Sequence, residues 1–131
     1  IGNEVYVCSG SYLKAYDLQS GLLTVNINLG ATFANGITHK GNDVFITDFS
    51  GQDIYRYNII NGSFNKYIEN MSFMPNGIIY DDIGDRLLLV GWEDLSPIIE
   101  IDLNDSTFTY FSSCRWKISC RIFYGKRESN Y

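Results

Sequence analysis

The words Phe33-Ala34-Asn35-Gly36-Ile37 and Phe73-Met74-Pro75-Asn76-Gly77-Ile78 repeat an Asn-Gly-Ile sequence, with Asn35 and Asn76 41 residues apart. A repeat of that length is one supersecondary unit that buries its apolar face against the next copy, so what fills the period fixes the architecture. Strands fill it. After each Asn-Gly-Ile comes a polar turn and then an apolar run, Val44-Phe45-Ile46-Thr47-Asp48-Phe49 in one copy and Leu87-Leu88-Leu89-Val90-Gly91-Trp92 in the other. A third run follows (Ile54 to Asn58; Ile98 to Leu103), and then a fourth (Ser63 to Ile68; Thr107 to Phe111). Four strands per period make a propeller blade. The second runs are nearly continuous in apolar residues, which suits strands covered on both faces.

Residues 1–30 read as a blade without its first strand: Glu4 to Cys8 matches Asp43 to Thr47, Leu13 to Leu18 matches the third run, and Leu22 to Leu29 matches the fourth. Residues 31–70 and 71–112 are then full blades, and 113–131 is a tail of different character. The fold class is all-β, an open arc of about two and three-quarter four-stranded β-propeller blades, because a ring of even four blades at roughly 40 residues each outgrows this chain. Ten Tyr, eight Phe and twelve Gly agree with strands and tight turns. Asn61-Gly62, one period after Gln19-Ser20-Gly21, reads as a type I′ hairpin turn. Asp81 to Asp85 and Glu93 to Pro97 are lengthened turns, which a surface loop absorbs at little cost. Two blade faces are left without a neighbour, so missing blades of the same propeller are the expected partners, and the isolated arc is expected to expose apolar surface.

Charge divides the chain as the repeat does. Residues 1–113 carry five Lys and Arg against fourteen Asp and Glu, a net of −9, while 114–131 carry five against one, a net of +4. An acidic body argues against nucleic acid as a partner, since binding a phosphate backbone needs clustered cations. No apolar run approaches the length of a membrane span, and the first residues form no signal-peptide core. Cys8, Cys114 and Cys120 are too scattered for a disulfide framework or a zinc site. In the tail, Cys114-Arg115-Trp116-Lys117 stands where a further Asn-Gly-Ile or Asp-Gly-Ile is due. Two readings stay open: a shift of reading frame from about residue 113, or a genuine strand in which Ile118, Cys120, Ile122 and Tyr124 alternate.

Asn-Gly at the start of each innermost strand has two readings. Both residues tolerate positive φ, so a tight turn selects them. Repeated at one period, they also set two amide oxygens where inner strands converge, and such oxygens suit a hard cation. Asp48 and Asp53 read as loop caps, the lone His39 as a turn residue, and Trp92, Trp116 and the tyrosines as packing between blades.

With these words in hand, residues 3–111 resemble the gluconolactonase and senescence-marker-protein (SMP-30) family of six-bladed lactonase-type propellers, over roughly half of that propeller. The resemblance rests on Phe33 to Ile37, Val44 to Asp48 with Ile54-Tyr55-Arg56, Pro75 to Ile78, and Arg86 to Trp92 leading into Ile98 to Leu103. It implies a divalent cation, usually Ca2+, in the central tunnel, with Asn76 as a metal ligand and Asn35 as its weaker counterpart. It also implies a Glu from a preceding blade and an Asp where Arg115-Trp116 stands. The intact parent would then be a metal-dependent lactone or ester hydrolase acting on a small molecule, and the fragment itself inactive. The alternative is a non-catalytic propeller module for ligand or protein binding. By the same resemblance, relatives are often bacterial and exported, which favours an extracytoplasmic setting.

Overall fold

A computed structural model describes residues 1–93 and 96–113, and every regular element among them is a β-strand. β1 (Glu4–Ser9), β2 (Tyr12–Asp17) and β3 (Leu23–Asn28) form a three-stranded sheet; β4 (Ala34–Lys40), β5 (Asp43–Asp48), β6 (Asp53–Asn58) and β7 (Phe64–Ile68) form a second. β8 (Pro75–Asp81), β9 (Arg86–Gly91), β10 (Pro97–Asp102) and β11 (Phe108–Ser113) form a third. Each sheet is an antiparallel meander in chain order, and β4 and β8 stand first in theirs. The tail, with both readings proposed for it, lies outside the described residues.

The sheets stack face to face because each strand sorts its residues by parity. β5 is the clearest case. Val44 and Ile46 enter an apolar core shared with Leu13 and Leu29 of the first sheet's side, while Phe45 enters another with Leu87, Leu89, Ile99 and Ile101 of the third. A strand apolar at successive positions is thus buried on both faces, as the continuous run requires. Tyrosines contribute: Tyr55 and Tyr57 are buried in the first core, and Tyr6 tilts against Tyr57 with ring centroids 6.4 Å apart. The two cores lie between consecutive sheets, which makes an open arc.

One hairpin recurs three times. Asp17, Asn58 and Asp102 each end a strand, and each carbonyl accepts from the N–H four residues on, of Gly21, Gly62 and Ser106. Their side-chain Oδ1 atoms accept from backbone N–H groups inside the loop. The fifth residue is left-handed, with φ of 69°, 70° and 61° at Gly21, Gly62 and Ser106. The type I′ expectation at Asn61-Gly62 is therefore corrected. That turn needs positive φ at both residues, and only Gly62 has it.

Candidate functional site

Asn35 and Asn76 sit in β-bulges at corresponding places. In β4 the pairing jumps from Ala34 opposite Asp48 to Ile37 opposite Ile46, and in β8 from Pro75 opposite Gly91 to Ile78 opposite Leu89. Two residues, Asn then Gly, thus face one residue of the partner strand, which bends the strand and re-aims the side chain. This corrects the turn reading of Asn-Gly: neither Gly36 nor Gly77 has positive φ, and both lie within strands. Glycine is needed at 36 for room. A Cβ there would stand 2.3 Å from the Asn76 carbonyl oxygen and 2.9 Å from Thr47 Oγ1.

That close approach is what joins the two blades. Thr47, fully buried in β5, accepts from Gly36 N–H at 2.7 Å and donates to the Asn76 carbonyl at 2.9 Å. Thr38 Oγ1 accepts from Tyr80 N–H at 3.0 Å. With β4 and β8 held side by side, Asn35 Nδ2 donates to Asn76 Oδ1 at 2.6 Å. The amides meet at the same end of the inner strands.

An aromatic run lies at this end. Phe49 N–H donates to the Phe33 carbonyl and Trp92 N–H to the Met74 carbonyl, so Phe49 and Trp92 hold equivalent places just past β5 and β9. Phe33 packs edge-on to Phe49 at 6.1 Å, and Phe49 edge-on to Trp92 at 5.9 Å. Phe33 is 50% exposed and Trp92 57%. Trp92 contacts the neighbouring blade through Phe49, as packing between blades expects, and it does so on the open rim. The sequence signal was available: an aromatic follows the second strand in both copies.

The carboxylates here are structural. Asp48, buried, accepts from the N–H groups of Thr32, Phe33 and Gly51 at 2.7, 2.8 and 3.0 Å and so ties the segment before β4 to the loop after β5. Asp53 accepts from Asn70 N–H and pairs with Lys66 at 2.7 Å. His39 belongs to β4, opposite Val44, and is a strand residue and not a turn residue. Among the described residues no group of three His, Cys, Asp or Glu side chains is placed to hold a metal ion. A cation at the amides would take two neutral oxygens here, while Ca2+ calls for six to eight with carboxylates among them. The residues present fit such an ion only in part. Burial pushes the Cys8 thiol up to about 11, which makes it a poor nucleophile.

No protein-family profile matches the chain, and no curated protein matches it. Solved structures do. A chain of a nidogen/laminin complex superposes on 82% of this chain with a TM-score of 0.68 at 15% identity. A chain of hydrazine synthase from Kuenenia stuttgartiensis superposes on 86% with a TM-score of 0.71 at 13% identity. The fold is that of a β-propeller. This chain spans 43% and 34% of those two chains. Identities this low speak for the fold alone. Among the described residues no helix is long and apolar enough to cross a membrane.

Proposed function

We propose that the chain is an arc of a propeller whose axial mouth binds a small, oxygen-rich ligand. The observation that carries this is the meeting of the Asn35 and Asn76 amides at the end of the inner strands that also bears the Phe33, Phe49 and Trp92 run. Amides supply both donors and acceptors, and exposed aromatic rings supply an apolar wall, the usual division of labour in a ligand site. Titrating the isotope-labelled chain with a sugar lactone should shift the Asn35 and Asn76 side-chain amide signals and the Trp92 indole signal together. Shifts confined to other residues, or none at millimolar ligand, would overturn the proposal.

The recurrence of the amide at one place in two blades favours a second reading, a divalent-cation site, Ca2+ in first place, of a lactone or ester hydrolase. Asn76 and Asn35 would each give one Oδ1, and bound cation would supply carbonyl polarisation. Anionic ligands would have to come from beyond these residues. In a ring containing these blades, lactone turnover should fall on addition of chelator and in Asn76→Ala. Chelator-insensitive turnover would remove the cation, while ligand binding without turnover leaves a binding module.

A further inference from the structure

We infer that the edge of β1 that no strand pairs among the described residues is an acceptor for one added strand of the inner-strand pattern, antiparallel to β1, with a basic residue opposite Glu4. The internal repeat gives the occupant. Second strands β5 and β9 each pair on one side with an inner strand, β4 or β8, whereas β1, their counterpart, pairs among the described residues with β2 alone. Beside β1 lies a groove of about 340 Å³ lined by Ile1, Glu4, Val5, Ile37, Thr38 and His39 among others. It runs between β1 and β4, where an inner strand of the first sheet would lie.

Register and chemistry follow from the filled copies. Asp43 faces Lys40 across the β4 and β5 pair, and Arg86 faces Asp81 across β8 and β9, where Arg86 Nε donates to Asp81 Oδ2 at 2.8 Å. The end position thus carries opposite charges in both filled slots. Glu4 holds it in β1, so the occupant takes Lys or Arg there. Continuing the β4 register sets the occupant's equivalents of His39, Thr38 and Ile37 opposite Val5, Tyr6 and Val7. Thr38 Oγ1 accepts from Tyr80 N–H of the next inner strand. His39 is the counterpart of Tyr80, so its N–H is the group an occupant Thr would meet.

The main chain is presented for this. The Asn3 carbonyl is taken by Leu18 N–H on the β2 side. Alternation along an antiparallel strand then turns the N–H and C=O groups of Glu4, Tyr6 and Cys8 toward the opposite edge. At its start, the amino group of Ile1 donates to the Glu4 carbonyl at 2.7 Å and the Glu4 N–H donates to the Ile1 carbonyl at 3.1 Å, two contacts an added strand would displace. Strand addition of this kind draws affinity from the ladder and selectivity from alternate side chains.

The test uses the whole chain and a fluorescent peptide of the sequence of residues 31–40, Ala-Thr-Phe-Ala-Asn-Gly-Ile-Thr-His-Lys. Saturable binding is expected. N-methylation of one alternating set of the peptide's amides should abolish it and of the other set leave it, the signature of a one-sided ladder. Changing the peptide's terminal Lys to Glu should weaken binding about threefold or more, as for cross-strand charge pairs. Glu4→Lys in the chain should restore that peptide and weaken the original. Absence of saturable binding, indifference to which amides are methylated, or failure of the charge exchange would each overturn the inference. So would self-association of the chain that the peptide cannot displace, which would give the edge to a second copy.

Discussion

Asn35 Nδ2 donates to Asn76 Oδ1 at 2.6 Å, joining two residues one full repeat apart at the start of neighbouring inner strands. The bond is exposed, so its own contribution is under about 1 kcal/mol and Asn76→Ala should leave the urea midpoint almost unchanged. Cation affinity is another matter. Placing carboxylates at both positions, Asn35→Asp with Asn76→Asp, sets two like charges in contact, which a hard cation relieves. The double variant should be destabilised without metal and regain its melting temperature in millimolar Ca2+, while the natural chain responds weakly. An equal response from both would contradict the geometry.

Gly36 and Gly77 occupy the same place in the repeat but not the same surroundings. A Cβ on Gly36 would meet the Asn76 carbonyl at 2.3 Å, a backbone atom of the next blade, whereas a Cβ on Gly77 would meet only Val90 Cγ2 at 3.1 Å. Overpacking against backbone forces the blades apart, at about 1–3 kcal/mol or more, while a methyl group can turn aside. Gly36→Ala should lower the urea midpoint markedly and Gly77→Ala much less. Comparable losses would show that the bulge itself, and not the inter-blade approach, selects glycine.

Much of this architecture was legible before any coordinates. The period located the blades, and the parity of Val44, Phe45 and Ile46 foretold a strand buried on both faces. The bulges were hidden because Asn-Gly is also a turn sequence, and only the register of Ala34 with Asp48 and of Ile37 with Ile46 distinguishes them. The Phe33, Phe49 and Trp92 run was visible only in part, in the aromatic that follows each second strand. Each ring alone is an ordinary rim residue, and their contact depends on how two blades pack. Thr47 had no signal at all as a bridge, since its partners are the main-chain groups of Gly36 and Asn76.

The Thr47 hydroxyl is the polar centre of the joint between the second and third sheets. Replacing it by an isosteric methyl in Thr47→Val removes the acceptor of Gly36 N–H and the donor to the Asn76 carbonyl in a buried place. Leaving such a group unpaired costs about 1–3 kcal/mol. Thr47→Ser keeps the hydroxyl and should retain most of the stability, apart from the methyl's packing. If valine proved as stable as serine in chemical denaturation, the bridge would carry no weight.

The left-handed residue of the recurring hairpin is glycine at 21 and 62 but serine at 106, with φ of 61°. A side chain in that conformation is disfavoured by about 1–2 kcal/mol. Ser106 is held there in part by its hydroxyl donating to the phenol oxygen (Oη) of Tyr67 at 3.0 Å. Ser106→Gly in a Tyr67→Phe background should therefore raise stability by about 1 kcal/mol, and Gly62→Ala should lower it by a similar amount. Opposite signs at equivalent positions, read from urea midpoints, are the discriminating result.

Acid should loosen the blades before it unfolds them. Asp85 lies below its ordinary value of 3.8 because Lys40 and Tyr80 both hydrogen-bond to it, and Lys40 and Tyr80 belong to inner strands of adjacent blades. Asp81 is lowered chiefly by its hydrogen bond with Arg86. At Asp43 burial acts to raise the carboxyl, but hydrogen bonds from Arg56 and Asn58, with the charge of Arg56, outweigh it and leave it low. A folded-state value below the unfolded one means stability that is present above the ordinary carboxylate range and lost as pH falls through the folded values. Urea midpoints should hold from pH 7 to about 5 and fall below about 4. Asp85→Asn, which cannot titrate, should flatten part of that fall. The ring contact of Lys40 with Tyr80 should weaken over the same window, seen as a change in Tyr80 signals ahead of global unfolding. A midpoint insensitive to pH down to 2 would show that none of these carboxylates stabilises the fold, and a pH profile unchanged in Asp85→Asn would show that the Lys40–Asp85 pair does not stabilise the junction between the second and third sheets.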